Sequence, residues 1–356
     1  MVDYDIAVIP GDGIGPEVTR EAMKILETAG EVFGFGARRT EYPFGTEHYL
    51  ATKEVFPDAA FEEVKQKQAI FLGAIGDPRV PVGLIEYGVI AKMRFELDLY
   101  VNLRPIKLYD AALCPLKDKG PADIDMVIVR ENTEDAYSGA HGFTHKGQPH
   151  EVATQTMIYT RMGVERACRY AFQIARKRGK RKHVTLIDKA NAVRAQDLWT
   201  RVFADVAKDF PDVETGHAYI DAACMWMVKN PEWFDVAVTP NLFGDIITDL
   251  GAMLQGGMGI AASGNINPGK VSLFEPIHGS APKHANKNIA SPVAAVMAIS
   301  MMLDYLGQPQ ASQAVENSVA ELLSSKRLTG VGTGDHPTDA VGDMVVAELR
   351  SVAAKV

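Results

Sequence analysis

Short apolar runs alternate with longer amphipathic segments along most of the chain. The runs rich in Val, Ile and Phe, which are typical of buried strands, are 5–10, 69–73, 126–129, 183–187 and 234–238. The segments with helical spacing are 17–29, 161–178, 195–210 and 222–229, followed near the C-terminus by 292–306, 312–325 and 340–354. This alternation predicts an α/β fold with helices on both faces of a sheet.

Composition and charge narrow the class of protein. A length of 356 residues, with 47% hydrophobic and 23% charged residues, is typical of a globular chain of about two domains. The 45 acidic residues exceed the 37 basic ones, and the net charge of −8 argues against nucleic acid or an anionic membrane as a partner. The longest apolar run, 289–303, contains Ser291, Pro292 and Ser300 and is too short to span a membrane. Three widely spaced cysteines favour a reducing compartment, so we expect a cytoplasmic protein.

A glycine-rich segment near the N-terminus is the first candidate for ligand binding. Residues 11–17 read GDGIGPE directly after a predicted strand, and Pro16 is suited to the first turn of a helix. Glycines let the backbone approach a phosphate or a flat ring, and a helix N-terminus favours anions. The segment is not the dinucleotide motif GxGxxG, because its last position is not glycine. A plain strand-to-helix turn remains the alternative.

Three arginines, Arg94, Arg104 and Arg130, are candidates for binding a substrate with two or three carboxylates. Arg130 follows a predicted strand, and ligands of open α/β sheets collect at the carboxyl ends of strands. Arg104 precedes Pro105, which we expect to end the local extended segment. Ordinary surface ion pairs are the alternative, since spacing alone does not show that the three side chains converge.

Two aspartates, Asp245 and Asp249, stand four residues apart and would share one face of a helix. Like charges at this spacing repel unless a cation lies between them, and paired carboxylates suit Mg²⁺ or Mn²⁺. Two acids on a solvated face are the ordinary alternative. The apolar neighbours of the pair argue against it and favour a metal site.

Lys189, in the segment DKAN after the predicted strand 183–187, is a candidate for proton transfer. Tyr137 and Asp221 follow similar apolar runs and could join it. A surface lysine just past a strand is the commoner case. The segment 137–149 lacks core periodicity, so we expect it to leave the body of the protein.

Four of these segments together resemble the β-decarboxylating dehydrogenase family of isocitrate, 3-isopropylmalate, homoisocitrate, tartrate and D-malate dehydrogenases. They are 11–17, the run RFELDLYVNLRP at 94–105, the segment 241–259 and EPIHGSAP at 275–282. The likeness runs along the whole chain, in order and with similar spacing.

This resemblance implies a fold of two α/β domains that share a large mixed sheet and are not Rossmann domains. The cofactor-binding domain would be 1–99 plus 252–356, and the substrate and dimerisation domain would be 100–251, with an arm near 137–149. The resemblance also implies a homodimer with shared active sites, in which Lys189 and Asp221 serve the partner.

The family's residue roles carry over to matching positions. Arg94, Arg104 and Arg130 would bind the malate carboxylates, with Ile90 beside the substituent on the third carbon. Asp221, Asp245 and Asp249 would hold Mg²⁺ or Mn²⁺, and Tyr137, Lys189 and Asp221 would be catalytic. The implied reaction is oxidative decarboxylation with hydride transfer to NAD(P), bound by Ile14, Asn191, Glu275, His278, Gly279, Ser280, Ala281, Lys283 and His284.

The substrate and cofactor preferences follow from a few departures within the family. Gly88 and Ile90 replace the serine and asparagine with which isocitrate enzymes hold a third carboxylate, so the resemblance implies 3-isopropylmalate or a close 3-alkylmalate. The alternative substrates are D-malate or tartrate, which Lys92 favours, and isocitrate. A non-catalytic regulatory subunit is the alternative to an enzyme. Lys283 occupies the position of the aspartate of NAD-linked members, which favours NADP over NAD.

Overall fold

The computed structural model describes residues 2–353, and the chain divides into two compact units. The first unit comprises Met1–Leu99, Pro105–Ile124 and Ala252–Val356, and the second comprises Tyr100–Arg104 and Asp125–Gly251. Residue 354, at the predicted end of the last helix, lies outside the described part. No helix within residues 2–353 is long and apolar enough to cross a membrane.

The strands, numbered in chain order, are β1 Val2–Gly11, β2 Phe35–Glu41, β3 Ala69–Ala74, β4 Val101–Lys107, β5 Asp125–Glu131, β6 His141–Thr144, β7 Val152–Gln155, β8 His183–Asp188, β9 Glu214–Tyr219, β10 Val236–Thr239, β11 Ala262–Ile266 and β12 Ser272–Pro276. The helices are α1 Gly15–Phe33, α2 Thr46–Thr52, α3 Asp58–Lys65, α4 Leu84–Glu86, α5 Lys92–Glu96, α6 Arg161–Arg178, α7 Asp197–Ala207, α8 Ile220–Lys229, α9 Asn241–Leu254, α10 Val293–Tyr305, α11 Pro309–Ser324 and α12 Thr338–Ala353. The α/β class predicted from the alternating pattern is therefore confirmed.

The first unit is built on strands in the order β2-β1-β3-β12-β11. The pairs β1/β2, β1/β3 and β3/β12 are parallel, whereas β11 and β12 are antiparallel, so this part of the fold is mixed. Helix α1 begins at Gly15 with Pro16 in its first turn and ends at Gly34, whose φ of 77° is left-handed. Its buried residues recur with helical spacing, and it packs on α10 and α12.

Residues 105–124, which the family resemblance assigns to the second domain, cluster with the first unit. Three polar contacts connect this segment to residues of the first unit. The Lys107 backbone N–H donates to the Gln255 side chain at 2.8 Å, the Lys107 ammonium pairs with Glu316, and Asp110 pairs with Lys326.

Pro105 does not end the extended segment, because β4 continues through it to Lys107. A proline costs a strand one backbone donor but leaves its extended conformation intact, so the strand can run on where the next residues find partners. Ile106 is buried, and Lys107 has the hydrogen bond from its backbone to Gln255.

The second unit carries the parallel strands β5, β10, β8 and β9, hydrogen-bonded in that order. Helix α6 agrees with its predicted limits, with Thr160 as its N-cap and Gly179 as its left-handed C-cap. Helix α7 is shorter than the predicted 195–210, because a 3₁₀ turn at Arg194–Gln196 precedes it and the helix ends at Ala207. Because the four strands are parallel, their carboxyl ends lie along one edge.

The segment expected to leave the body forms a two-stranded antiparallel hairpin of β6 and β7. It reaches further along the chain than the predicted 137–149, since β7 ends at Gln155. Phe143 and Val152 on its strands are 52% and 51% exposed. A hairpin of this kind has little stability of its own in water.

Candidate active site

Arg130 anchors the site of the second unit from the end of β5. Its guanidinium is buried, with Nε donating to the Asn241 side chain at 2.9 Å and Nη1 donating to Asp245 at 2.6 Å. Helix α9, which begins at Asn241 directly after β10, can approach this closely because Gly244 has no side chain. A Cβ at Gly244 would collide with the Arg130 side chain. Position 244 therefore needs glycine for the site to form.

Asp245 and Asp249 lie on α9 as the four-residue spacing predicts. The other Asp245 oxygen accepts a hydrogen bond from the Tyr137 hydroxyl at 2.7 Å, and the Arg130 guanidinium lies over the Tyr137 ring at 5.5 Å. The structure thus brings Arg130, Tyr137 and Asp245 together. These three residues belong to strand, arm and helix segments that are more than a hundred positions apart at the extremes.

Burial raises the pKa of Asp249, and the negative charge of Asp245 adds to this, whereas Arg104 and Arg130 act against it. A cation bound to the two aspartates would relieve this cost, so their chemistry fits a divalent metal with oxygen ligands. Among the described residues, no group of three or more His, Cys, Asp or Glu side chains could hold a metal ion. Arg104, on β4, is also buried, and its Nε donates to Asn102 at 2.6 Å.

Lys189 and Asp221 form the second polar pair of this unit. The Lys189 ammonium lies 2.7 Å from the Asp221 carboxylate, and this hydrogen bond lowers the pKa of Asp221. Lys189 follows the end of β8, and Asp221 lies in the first turn of α8, after β9. The Asp221 side chain is 68% exposed, so it is open to a ligand or to another chain. Asn191, two residues after the lysine, is exposed.

In the first unit, Arg94 contacts residues of two strands. Its Nε donates to Asn265 at 2.9 Å on β11, and its guanidinium lies 3.4 Å from Glu275 on β12. Glu275 also accepts a hydrogen bond from the Asn265 amide at 2.8 Å. Ile90 is half-buried against the apolar core of this unit, within a π-helical turn at Tyr87–Ala91. Single π turns are frequent at functional sites.

The glycine-rich loop packs directly on the segment that resembles the adenosine loop. The Ile14 N–H donates to the Ser280 carbonyl at 2.8 Å, and the Ser280 hydroxyl donates to the Gly76 carbonyl. Gly13 has a φ of 60°, and a Cβ there would collide with the Ser280 carbonyl. Two predicted cofactor residues, Ile14 and Ser280, are therefore in contact.

The rest of the predicted cofactor loop combines exposed residues with one buried histidine. Gly279 and Lys283 are exposed, and Ala281, with a left-handed φ of 40°, precedes a 3₁₀ turn at Pro282–His284. Burial lowers the pKa of His278, whose Nε2 is buried without a hydrogen-bond partner among residues 2–353. An unpartnered buried nitrogen fits a site that a polar ligand such as a nucleotide would complete.

Several residues that shape these sites were not singled out from the sequence. Buried Glu17 accepts the backbone N–H groups of Asn286 and Asn288 at 2.8 Å each, which ties the loop to α1. Buried Asp12 accepts those of Thr46 and Gly76. Both acids lie within GDGIGPE, and a carboxylate beside glycines and a helix start is the only sequence signal for them.

The fold is that of a decarboxylating dehydrogenase, a class of oxidoreductase. The chain matches the family described as isocitrate/isopropylmalate dehydrogenase over residues 5–345, and it belongs to that family. Membership implies a small-molecule substrate, a nicotinamide cofactor of the NAD type and a divalent metal.

Relatives with similar sequences cover nearly the same length. The 3-isopropylmalate dehydrogenase of Thermobifida fusca is 48% identical over 347 residues, which is 97% of each chain. The enzyme of the same name from Nocardia farcinica is 46% identical over 97% of this chain and 99% of its own. The predicted family relationship is confirmed.

Solved structures agree in fold over almost the whole chain. An isocitrate dehydrogenase from Methylococcus capsulatus is similar with a TM-score of 0.87 and 34% identity, covering 98% of this chain and 99% of its own. A β-decarboxylating dehydrogenase from Thermococcus kodakarensis in its apo form has a TM-score of 0.80 and 33% identity, covering 98% and 96%. The predicted isocitrate/isopropylmalate dehydrogenase-like fold is therefore confirmed.

Proposed function

We propose that the protein oxidises and decarboxylates 3-isopropylmalate, or a close 3-alkylmalate, with a nicotinamide cofactor and a divalent cation. The observation that carries this proposal is the contact of Arg130 and Tyr137 with Asp245 on α9, beside Asp249. The names of the relatives at 46–48% identity support the substrate. The complete set of catalytic groups argues against a non-catalytic regulatory subunit.

In the proposed mechanism, Arg94, Arg104 and Arg130 bind the substrate carboxylates, since guanidinium groups pair with carboxylates through two parallel hydrogen bonds. Asp245 and Asp249, with Asp221 of the partner subunit, would hold Mg²⁺ or Mn²⁺. The cation, when bound, stabilises the negative charge that develops on the substrate oxygen.

The remaining steps are proton and hydride transfers. A base involving the partner subunit's Lys189 would remove the proton of the C2 hydroxyl, and the nicotinamide cofactor, when bound, would supply the hydride acceptor for C2. Loss of carbon dioxide from the resulting β-keto carboxylate leaves an enolate, whose carbon would take one proton from the Tyr137 hydroxyl. The hydrogen bond from this hydroxyl to Asp245 holds it beside the proposed metal site.

The proposed substrate rests on the apolar side chain at position 90. A free carboxylate against Ile90 would lose its hydration without gaining a partner, which costs far more than a lost methyl contact. We therefore expect kcat/KM to be roughly 10³-fold or more higher for 3-isopropylmalate than for isocitrate. A steady-state panel that adds D-malate and tartrate measures this, and a preference for any of these three would contradict the proposed substrate.

A variant at this position makes the test specific to the alkyl group. Ile90→Ala should lower kcat/KM for 3-isopropylmalate by about tenfold, because buried methylenes contribute roughly 0.8 kcal/mol each. D-malate, which lacks the alkyl branch, is the matched control and should change little. An equal loss on both substrates would mean that Ile90 acts through the core against which it packs.

The proposed dimer explains apolar surface on the second unit. Beyond the exposed arm, α8 exposes Met225 and α9 exposes Ile246, each by more than half. Met225 is one turn from Asp221, and Ile246 adjoins Asp245. Large exposed apolar side chains are typical of interaction surfaces, and a second copy bound there would place its residues near the proposed metal aspartates.

A cytoplasmic location is supported by the three free cysteines.

For the cofactor we propose NADP over NAD. Exposed Lys283 would attract the 2′-phosphate, which an aspartate would repel, and the neighbouring His284 can donate a hydrogen bond. Lys283→Asp should shift the ratio of kcat/KM values towards NAD by about tenfold or more. The same change at exposed Lys270, outside the loop, is the control and should leave the ratio unchanged. A wild-type enzyme that already prefers NAD would contradict the assignment.

A further inference from the structure

A continuous chain of hydrogen bonds runs through the second unit from the turn after β8, which carries Lys189, to helix α9, which carries Asp245 and Asp249. The Lys189 backbone N–H donates to the Gln196 side-chain oxygen at 2.7 Å, and the Gln196 amide donates to the Tyr159 hydroxyl at 2.8 Å. The Tyr159 hydroxyl donates to Asp135 at 2.8 Å. The other Asp135 oxygen accepts the backbone N–H of Leu242, at 2.9 Å, in the first turn of α9. We call Gln196, Tyr159 and Asp135 the relay.

The direction of every bond in the relay is fixed by chemistry. The Gln196 oxygen is occupied by an N–H donor, so its amide nitrogen must face Tyr159, and the tyrosine hydroxyl must then donate to the carboxylate. Burial, together with the charge of Asp135, raises the pKa of Tyr159, so the hydroxyl keeps its proton. Gln196 and Asp135 are fully buried. Breaking one link would leave buried polar groups unsatisfied, so the relay has one arrangement.

The relay ends where helix α9 is already fixed to Arg130. Asn241, the residue before Leu242, accepts from Arg130 and donates to the Glu134 carbonyl at 3.1 Å. Asp245 lies one turn further along α9. A shift of the first turn of α9 would therefore move the predicted metal ligands, and a shift of the turn after β8 would move Lys189.

We propose that the relay is a positioning device for catalysis, which holds the Lys189 turn and the first turn of α9 in one geometry. This proposal rests on the proposed function, in which Lys189 acts in the partner's active site and α9 acts in its own. One relay in each chain then supports both active sites of the dimer. None of its residues is among those proposed to bind the substrate or the cofactor, so the relay would position other groups rather than react.

A merely structural role would cost stability without a selective loss of turnover, and the chain offers a matched control for this. Tyr4, in the first unit, makes a similar pair of hydrogen bonds, since its hydroxyl accepts from the Gln308 amide at 2.8 Å and donates to the Leu306 carbonyl, rather than to a carboxylate, at 3.0 Å. Tyr159→Phe and Tyr4→Phe therefore each remove one accepted and one donated hydrogen bond, in different units of the protein.

Purified full-length Tyr159→Phe should lose about tenfold in kcat, or about 1.4 kcal/mol of activation free energy, with KM for the nicotinamide cofactor unchanged. Both variants should lower Tm, but Tyr4→Phe should keep kcat within about twofold of the wild-type value. Gln196→Met, which removes both hydrogen bonds of the Gln196 side-chain amide, should lower kcat as Tyr159→Phe does. The proposal would be overturned if both tyrosine variants kept the wild-type kcat, or if both lost kcat to the same extent.

Mixed dimers test the two ends of the relay separately. Dimers of one Lys189→Ala and one Asp245→Asn subunit keep one intact site if active sites are shared. Adding Tyr159→Phe to the Asp245→Asn subunit disturbs the lysine of that site, and adding it to the Lys189→Ala subunit disturbs α9. Both placements should lower kcat, and an effect from neither or only one overturns the two-ended role. No activity in the parent mixed dimer would instead contradict the shared site, while the homodimer kinetics still decide whether the relay positions.

Discussion

Asp245→Asn should lower kcat/KM about 10²- to 10³-fold while the protein stays folded, because one charged ligand oxygen is lost where negative charge must be stabilised. The Asp245 side chain accepts from Arg130 and Tyr137, and an asparagine oxygen can accept only part of this. The affinity for Mn²⁺, measured by calorimetry without substrate, should fall with the activity. Removal of the metal by exhaustive chelation should abolish turnover of the wild type, and readdition of Mg²⁺ or Mn²⁺ should restore it.

A control variant separates this effect from the loss of a negative charge. Asp205 pairs with Arg161 and Lys208 on the surface of the second unit. Asp205→Asn makes the same chemical change and should leave kcat/KM and Mn²⁺ affinity as in the wild type. Full turnover of the chelated wild-type enzyme, or normal Mn²⁺ binding by Asp245→Asn, would contradict the metal assignment.

Mixing two inactive variants should restore activity if each active site draws on both chains. Lys189→Ala and Asp245→Asn should each inactivate both sites of the proposed homodimer. Random reassociation of equal amounts makes about half of the dimers mixed, and each mixed dimer has one intact site of two, so about a quarter of wild-type activity should return. Activity is measured after joint unfolding and refolding of the two variants.

A second mixture provides the control. Lys189 and Asp221 form an ion pair within one chain, so both are proposed to enter the same partner site. A mixture of Lys189→Ala and Asp221→Asn therefore leaves a defect in every site and should recover no activity. Recovery in both mixtures, or in neither, would show that the sites are not divided between the chains as proposed.

The fold class and several helices could be predicted because local periodicity records which face of a segment is buried. Helix α6 has its apolar face, a threonine N-cap and a glycine C-cap within its own sequence, and its limits were predicted correctly. Strand β4 was cut short at Pro105, because the support for Lys107 comes from distant Gln255. The antiparallel pair β11 and β12 and the arm strands carry no comparable local signal, and they were not predicted as strands.

The sequence by itself determined the α/β class, the family and the residue types available for chemistry. Its motifs placed Asp245 and Asp249 four apart on one helix, because that spacing depends only on helix geometry. Only the tertiary structure decided which side chains meet. Arg130 and Asp245 are 115 positions apart, and Leu242 and Asp135 are 107 apart, so their contacts depend on the order of the parallel strands and on the absent side chain of Gly244. Long-range pairing of this kind leaves no periodic trace in the sequence, since it follows from packing of whole elements rather than from neighbours along the chain.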